Sequence, residues 1–129
     1  MYPAFIVPTS KRWLLLDCWA TWCVPCRKQR LFLEKFEEKY KDSIEFVFLS
    51  LDENKELWQK FVTKSKNGAK NQYLVKGGFK SELANYFNLL TIPRYTLLDI
   101  SKKAVAAKDL PIPIQPQGFE KAISEAIGN

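Results

Sequence analysis

Two cysteines, Cys23 and Cys26, sit where an apolar run gives way to a helical repeat, and that junction constrains the chain more than any other stretch. The run before it, Trp13-Leu14-Leu15-Leu16-Asp17-Cys18-Trp19, is continuously apolar apart from Asp17. Its length suits a strand buried on both faces, as in a sheet covered by helices. From Val24 to Lys41 the pattern turns helical: Phe32, Phe36 and Tyr40 recur every four residues with Leu33 beside them, and Glu34, Lys35, Glu37, Glu38 and Lys39 fall mostly on the other side. Pro25 suits a first helical turn, where its missing N–H costs nothing. Ile44 to Leu51 then reads as a second buried strand. Strand, helix, strand is a βαβ unit, which predicts two parallel strands joined by a right-handed crossover.

The rest of the chain extends that unit. Asp52-Glu53-Asn54 is expected to cap a helix from Lys55 to about Ser65, with Leu57, Trp58, Phe61 and Val62 at helical spacing. Gln72 to Val75 reads as a short extra strand, and Ser81 to Asn88 as a short helix. Pro93, directly before a β-rich run ending at Asp99, fits a bend or the first residue of a strand. Ser101-Lys102-Lys103 predicts a hairpin turn into an edge strand, Ala104 to Ala107. The prolines between Asp109 and Pro116 predict extended loop, and Gly118 to Ile127 a closing helix. The order β-α-β-α-β-α-β-β-α places the chain in the α/β class, with helices on both faces of a central mixed sheet. Residues 1–12, broken by Pro3 and Pro8, read as an irregular lead-in, and residues 13–129 as one domain.

Composition narrows the function. At 129 residues and 47% apolar, the chain is long enough for one core and too apolar for global disorder. It lacks the ~18 to 20 continuous apolar residues of a membrane span. Ala4-Phe5-Ile6-Val7 has neither the length nor the basic start of a signal peptide. The net charge of +6 comes from scattered Lys and Arg rather than a dense tract, so a nucleic-acid partner is not expected. With no His in the chain, Cys–His dyads and His-rich metal sites are excluded.

Three cysteines are too few for a disulfide framework, so the close pair reads as reactive. Residues i and i+3 of a helical turn can bring Cα atoms within the about 4.4 to 6.8 Å that a disulfide needs. At a strand-to-helix junction the first sulfur is expected beyond the helix N-terminus and exposed, and the second shielded in the first turn. The helix N-terminus favours thiolate, which makes Cys23 the nucleophile and Cys26 the resolving thiol. A structural disulfide or half a zinc site remain alternatives. Zinc would need two more ligands, and only Cys18 and carboxylates are available. Cys18 itself, mid-strand, reads as a small buried hydrophobe.

The stretch Asp17-Cys18-Trp19-Ala20-Thr21-Trp22-Cys23-Val24-Pro25-Cys26 resembles the active-site signature of the thioredoxin superfamily, and Thr91-Ile92-Pro93 resembles its cis-proline segment. The Ala-Thr-Trp-Cys form and the helix inserted after the second strand resemble the TlpA/ResA-type branch of extracytoplasmic thiol–disulfide proteins. The Ser81-Glu82-Leu83-Ala84 helix and Asp109-Leu110-Pro111 resemble versions found in larger Bacteroidetes envelope proteins. The resemblance implies a thioredoxin fold with an extra helix and strand after the second strand. It also implies disulfide exchange with protein substrates, more in the direction of reduction, through a redox-active Cys23–Cys26 disulfide and without other cofactor or metal. Trp22 would shield the pair; Pro93 would be cis and packed against it, leaving the Ile92 backbone for substrate. Asp17 would be the buried carboxylate that takes the proton of Cys26. A monomer is expected, served by an upstream thiol–disulfide electron donor, without membrane contact of its own. Its expected setting is the envelope or periplasm, with the targeting segment absent from this chain, and the cytoplasm is the other setting considered.

The departures bound what can be carried over. In thioredoxin a Lys on the second strand partners the buried Asp; Phe48 stands at the matching place, so Asp17 is expected to be less compensated. Val24-Pro25 replaces Gly-Pro. Gln29 replaces a Glu found in ResA-type reductases, which argues against pH gating of that kind. The N-terminal hairpin of the branch is expected to be shortened. A second function, a redox-inert binding module using the groove around Trp22, Ile92 and Pro93, stays open. Peroxidase chemistry fits poorly, because Ala20 occupies the place of the Thr or Ser that precedes a peroxidatic cysteine.

Overall fold

The computed structural model describes residues 9–65 and 68–128. Among the described residues the elements follow the expected order, with a 3-10 turn added: β1 (Trp13–Trp19), α1 (Val24–Lys39), β2 (Ile44–Ser50), α2 (Lys55–Thr63), β3 (Gln72–Leu74), the 3-10 turn (Gly78–Lys80), α3 (Glu82–Tyr86), β4 (Arg94–Asp99), β5 (Ala104–Ala107) and α4 (Pro116–Ala126). Most of the lead-in expected over residues 1–12, residues 1–8, lies outside the described residues.

The five strands form one mixed sheet in the order β3-β2-β1-β4-β5. β1 lies parallel to β2 and antiparallel to β4, so the central strand is flanked on both sides and every residue of it is buried. That explains the unbroken apolar run, since a strand with both faces covered has no place for alternating polar residues. Asp17 stands opposite Phe48 on one neighbour and Tyr95 on the other.

The sheet separates two apolar layers. One gathers Trp13, Leu15 and Trp19 with Leu33 and Phe36 of α1, Val62 of α2, and Phe119 and Ile123 of α4. The other gathers Leu14, Leu16 and Cys18 with Leu49, Leu98, Ala84 and Phe87. The period of two along β1 makes this partition, and it assigns Asp17 to the face of α1. Leu15, Leu16, Leu33 and Ile123 are fully buried. Each contributes about 1.5–3 kcal/mol, so these layers dominate what holds the sheet and helices together.

Two details depart from expectation, and a third narrows it. On α1 the core-facing positions are Cys26, Gln29, Leu33 and Phe36, whereas Phe32 is half-buried. A helix of 3.6 residues per turn drifts off a strict four-residue spacing, so the stripe passes through Leu33. The cap of α2 is Asn54, whose side chain accepts the Leu57 N–H at 3.0 Å, while Asp52 turns inward. Helix α4 begins at Pro116 instead of Gly118, because proline already has helical φ and needs no N–H partner in a first turn.

Candidate active site

The end of β1 and the start of α1 hold the pair. The Trp19 carbonyl accepts the Leu51 N–H at 2.8 Å, which carries the β1–β2 pairing to the last residue of the strand. The chain then turns, with the Cys23 N–H donating to the Ala20 carbonyl at 3.1 Å. Cys23 is the N-cap of α1, and its carbonyl accepts the first helical bond, from Arg27 at 3.2 Å. Its sulfur accepts the Cys26 N–H at 3.2 Å, so Cys23 Sγ occupies the place a Ser or Asp oxygen takes at other helix starts.

Cys23 and Cys26 form a disulfide with Cα atoms 5.3 Å apart. Cys23 is 5% exposed and Cys26 1%, so the expectation of an exposed first sulfur does not hold in the oxidised pair. The cause is the cap: the Cys23 side chain folds back over the helix N-terminus to meet the Cys26 amide. The same contact places free N–H groups and the helix dipole against Cys23 Sγ, the environment that favours a thiolate once the bond is reduced.

Asp17 lies on the face of β1 that looks at α1 and is 1% exposed. Its Oδ2 accepts the Arg30 Nε–H at 3.1 Å, and its Oδ1, although buried, has no hydrogen bond among the described residues. Phe48 occupies the opposing position on β2, the place that the resemblance to thioredoxin matched to its lysine. The carboxylate is nevertheless not left without a cation, because Arg30 of α1 supplies one. The Arg30 guanidinium lies 4.1 Å from the Phe48 ring centroid and 4.7 Å from that of Trp19. An aromatic ring where thioredoxin has a lysine thus becomes the platform on which an arginine from the helix rests. Burial pushes the Asp17 carboxyl up from its ordinary range, and Arg30 opposes that shift without cancelling it. Tyr95, opposite Asp17 on β4, has a buried hydroxyl without a hydrogen bond among the described residues and a pKa raised first by burial and then by Asp17.

The remaining expected positions lie at the sheet end. Trp22, next to Cys23 in sequence, is 60% exposed. The Ile92–Pro93 peptide bond is cis. Ile92, half-buried, packs against the apolar layer that contains Cys23 and Cys26 and also against the opposite layer. Cys18 is free and buried in that opposite layer, with its thiol pushed up to about 12 by burial and the Asp17 charge. Gln29 is buried, and its Oε1 accepts the Ile114 N–H at 2.8 Å, tying α1 to the loop before α4. Among the described residues no group of three or more His, Cys, Asp and Glu could hold a metal ion.

Sequence reasoning missed Arg30 and the pair Thr21–Asp52. Asp52 accepts the Thr21 N–H, the Thr21 hydroxyl and the Ser50 hydroxyl, and its own N–H donates to Ser50 Oγ at 3.0 Å. The signal for Arg30 was its place four residues after Cys26, on the same helical face. The signal for Asp52 was its position just past the end of β2, beside the end of its parallel neighbour β1.

Residues 11–105 match the family described as Thioredoxin-like. The chain belongs to that family. The thioredoxin-like fold extends to solved structures: a candidate thiol-disulfide oxidoreductase from Bacteroides vulgatus is 33% identical, with 91% of this chain and 74% of that one covered at a TM-score of 0.72. A thiol-disulfide oxidoreductase from Bacteroides fragilis is 28% identical, with 88% and 80% covered at 0.68. A thioredoxin from Alicyclobacillus acidocaldarius is 42% identical over 48 residues, 37% of this chain and 46% of the relative. The chain thus spans just under half the length of that curated thioredoxin.

Proposed function

We propose that this thioredoxin-like chain is a thiol–disulfide oxidoreductase that reduces disulfides of protein substrates through Cys23 and Cys26. The observation that carries the reading is the disulfide at the start of α1, with Cys23 Sγ held by the Cys26 N–H. In the reduced pair the Cys23 thiolate attacks a substrate disulfide, forms a mixed disulfide and releases one substrate thiolate. Cys26 loses its proton, attacks Cys23 Sγ and releases the second. Asp17, buried on the face toward α1, is the group proposed to take that proton. Cys26 and Arg30 lie one turn apart on α1, and Arg30 reaches Asp17, so the carboxyl and the resolving thiol face the same interlayer space.

Trp22, the Ile92 backbone and Pro93 are proposed to receive the substrate segment. Trp22 supports this by its exposure, and Ile92 by its packing against the layer of the pair. No cofactor beyond the disulfide is needed. An upstream thiol–disulfide donor would re-reduce the pair in a monomeric protein. The extracytoplasmic setting rests on the resemblance to the TlpA/ResA branch. No helix among the described residues is long and apolar enough to cross a membrane.

Dithiothreitol-coupled insulin reduction tests the reading. The native protein is expected to accelerate it and Cys23→Ser to abolish it; absence of activity in the native protein would refute the function. The redox potential of the pair checks the direction, with a value nearer roughly −270 mV than −120 mV expected for a reductant.

A further inference from the structure

The cation beside Asp17 comes from the helix that carries the reactive pair, one turn beyond Cys26, and its contacts are one-sided. Arg30 gives Asp17 a single hydrogen bond, Nε to Oδ2 at 3.1 Å, and not the two-pronged contact that arginine makes with a carboxylate at a purely structural pair. Its guanidinium rests on two buried rings, Trp19 of β1 and Phe48 of β2, at 4.7 and 4.1 Å from their centroids, which orient it independently of the carboxylate. The second oxygen, Oδ1, is left buried without a partner. A buried carboxylate oxygen without a hydrogen bond costs about 1–3 kcal/mol or more, which makes the arrangement poor as a stabilising device. It becomes intelligible if that oxygen has a proton to receive.

We propose that Arg30 is a positioning residue for proton transfer: it holds Asp17 through Oδ2 and leaves Oδ1 for the proton of Cys26. The proposal rests on the thiol–disulfide reading above. In the mixed disulfide, Cys26 Sγ–H passes its proton to Asp17 Oδ1. The Cys26 thiolate then attacks Cys23 Sγ, the bond from Cys23 to the substrate sulfur breaks, and that sulfur leaves as a thiolate and takes a proton from water. Two electrons have passed from the dithiol to the substrate, and the Cys23–Cys26 disulfide remains. Arg30 opposes the effect of burial on Asp17 and so favours the ionised form, which is the one able to accept. The other titratable or charged groups near Asp17 are Tyr95 on β4, Cys18 beside it on the opposite face of β1, and Arg94, which stands opposite Cys18 and is held at the Phe87 and Asn88 carbonyls. Among the described residues Arg30 is the cation that acts on Asp17.

The test follows the carboxyl directly. In the reduced native protein, a pH titration observed by carbon-13 NMR of Asp17 Cγ and nitrogen-15 NMR of Arg30 Nε should show one shared midpoint. Arg30→Met should move the Asp17 midpoint up by at least one pH unit, and Arg30→Lys should recover part of that. Below the raised midpoint the rate of mixed-disulfide resolution should then fall by about tenfold for each unit of that shift, and it should return to the native plateau at high pH. A merely structural arginine would lower stability or rate at every pH without moving the profile. An Asp17 midpoint unchanged in Arg30→Met would overturn the proposal. So would an Arg30 Nε resonance that stays silent through the Asp17 transition, a measurement on the native protein that stands even if the variant fails to fold. Failure of the native protein to reduce insulin would instead remove the functional reading while the titration still reports whether Arg30 governs Asp17.

Discussion

Asp52 holds Thr21 twice, accepting its backbone N–H at 3.0 and 3.2 Å and its hydroxyl at 2.6 Å, with both residues buried. Thr21 lies two residues before Cys23, so this clamp fixes the turn that delivers the nucleophile to the helix start. Replacing Asp52 by Ala leaves the buried Thr21 N–H without its partner, as well as the Thr21 and Ser50 hydroxyls. Asp52→Ala is expected to cost roughly 2–4 kcal/mol in urea unfolding. In a double-mutant cycle with Thr21→Val the two losses should couple rather than add.

The unequal roles of the sulfurs give a trapping experiment. Cys26→Ser keeps the capped nucleophile and removes the thiol that releases it, so it should accumulate a covalent complex with a protein disulfide substrate. Cys23→Ser should accumulate none. Non-reducing electrophoresis followed by mass spectrometry distinguishes them, and equal trapping by both variants would reverse the assignment.

Asp17 should make stability pH-dependent in the direction opposite to an ordinary ion-paired carboxylate. Its folded pKa is raised, so the unfolded chain loses the proton first. The folded state is therefore favoured most below the unfolded value of about 3.9, and that advantage is lost as pH rises through the folded value. Asp17→Asn removes the titration. Its urea midpoint relative to the native protein should rise between pH 4 and pH 8; a difference that stays flat would mean that Asp17 keeps its unfolded proton affinity.

Gln29 predicts a local effect. Its carbonyl oxygen is the acceptor for the Ile114 N–H, and the side chain is buried. Gln29→Ala should cost about 1–2 kcal/mol and speed hydrogen exchange at the Ile114 amide before it affects the strands. An unchanged Ile114 exchange rate would show that the loop before α4 is held by other contacts.

The sheet and the position of the pair were legible because they depend on local pattern. The unbroken apolar run of β1 and the helical stripe after Pro25 each have one physical solution, and the likeness to thioredoxin pointed to Phe48 as the residue facing Asp17. What sequence could not show was which side chains meet across layers. Arg30 read as one more surface cation, because nothing in its neighbours says that a carboxylate waits on the strand beneath it. Asp52-Glu53-Asn54 read together as a helix cap, and Asn54 takes that place; Asp52 is drawn instead to the Thr21 amide and hydroxyl, thirty-one residues earlier. The Cys23 sulfur was expected in solvent because a helix N-terminus is usually open, and the cap contact turned it inward.

The third cysteine gains meaning from where the sheet puts it. Cys18 is five residues before Cys23, close enough in sequence to compete in exchange, yet it belongs to the layer on the far side of β1. The sheet acts as an insulating wall, and the raised thiol pKa leaves Cys18 almost no nucleophile near neutral pH. A molecule with an odd number of cysteines can therefore cycle as a clean two-electron device. Scrambling between Cys18 and the pair would require the central strand to leave the sheet, so loss of redox fidelity and loss of the fold should set in together.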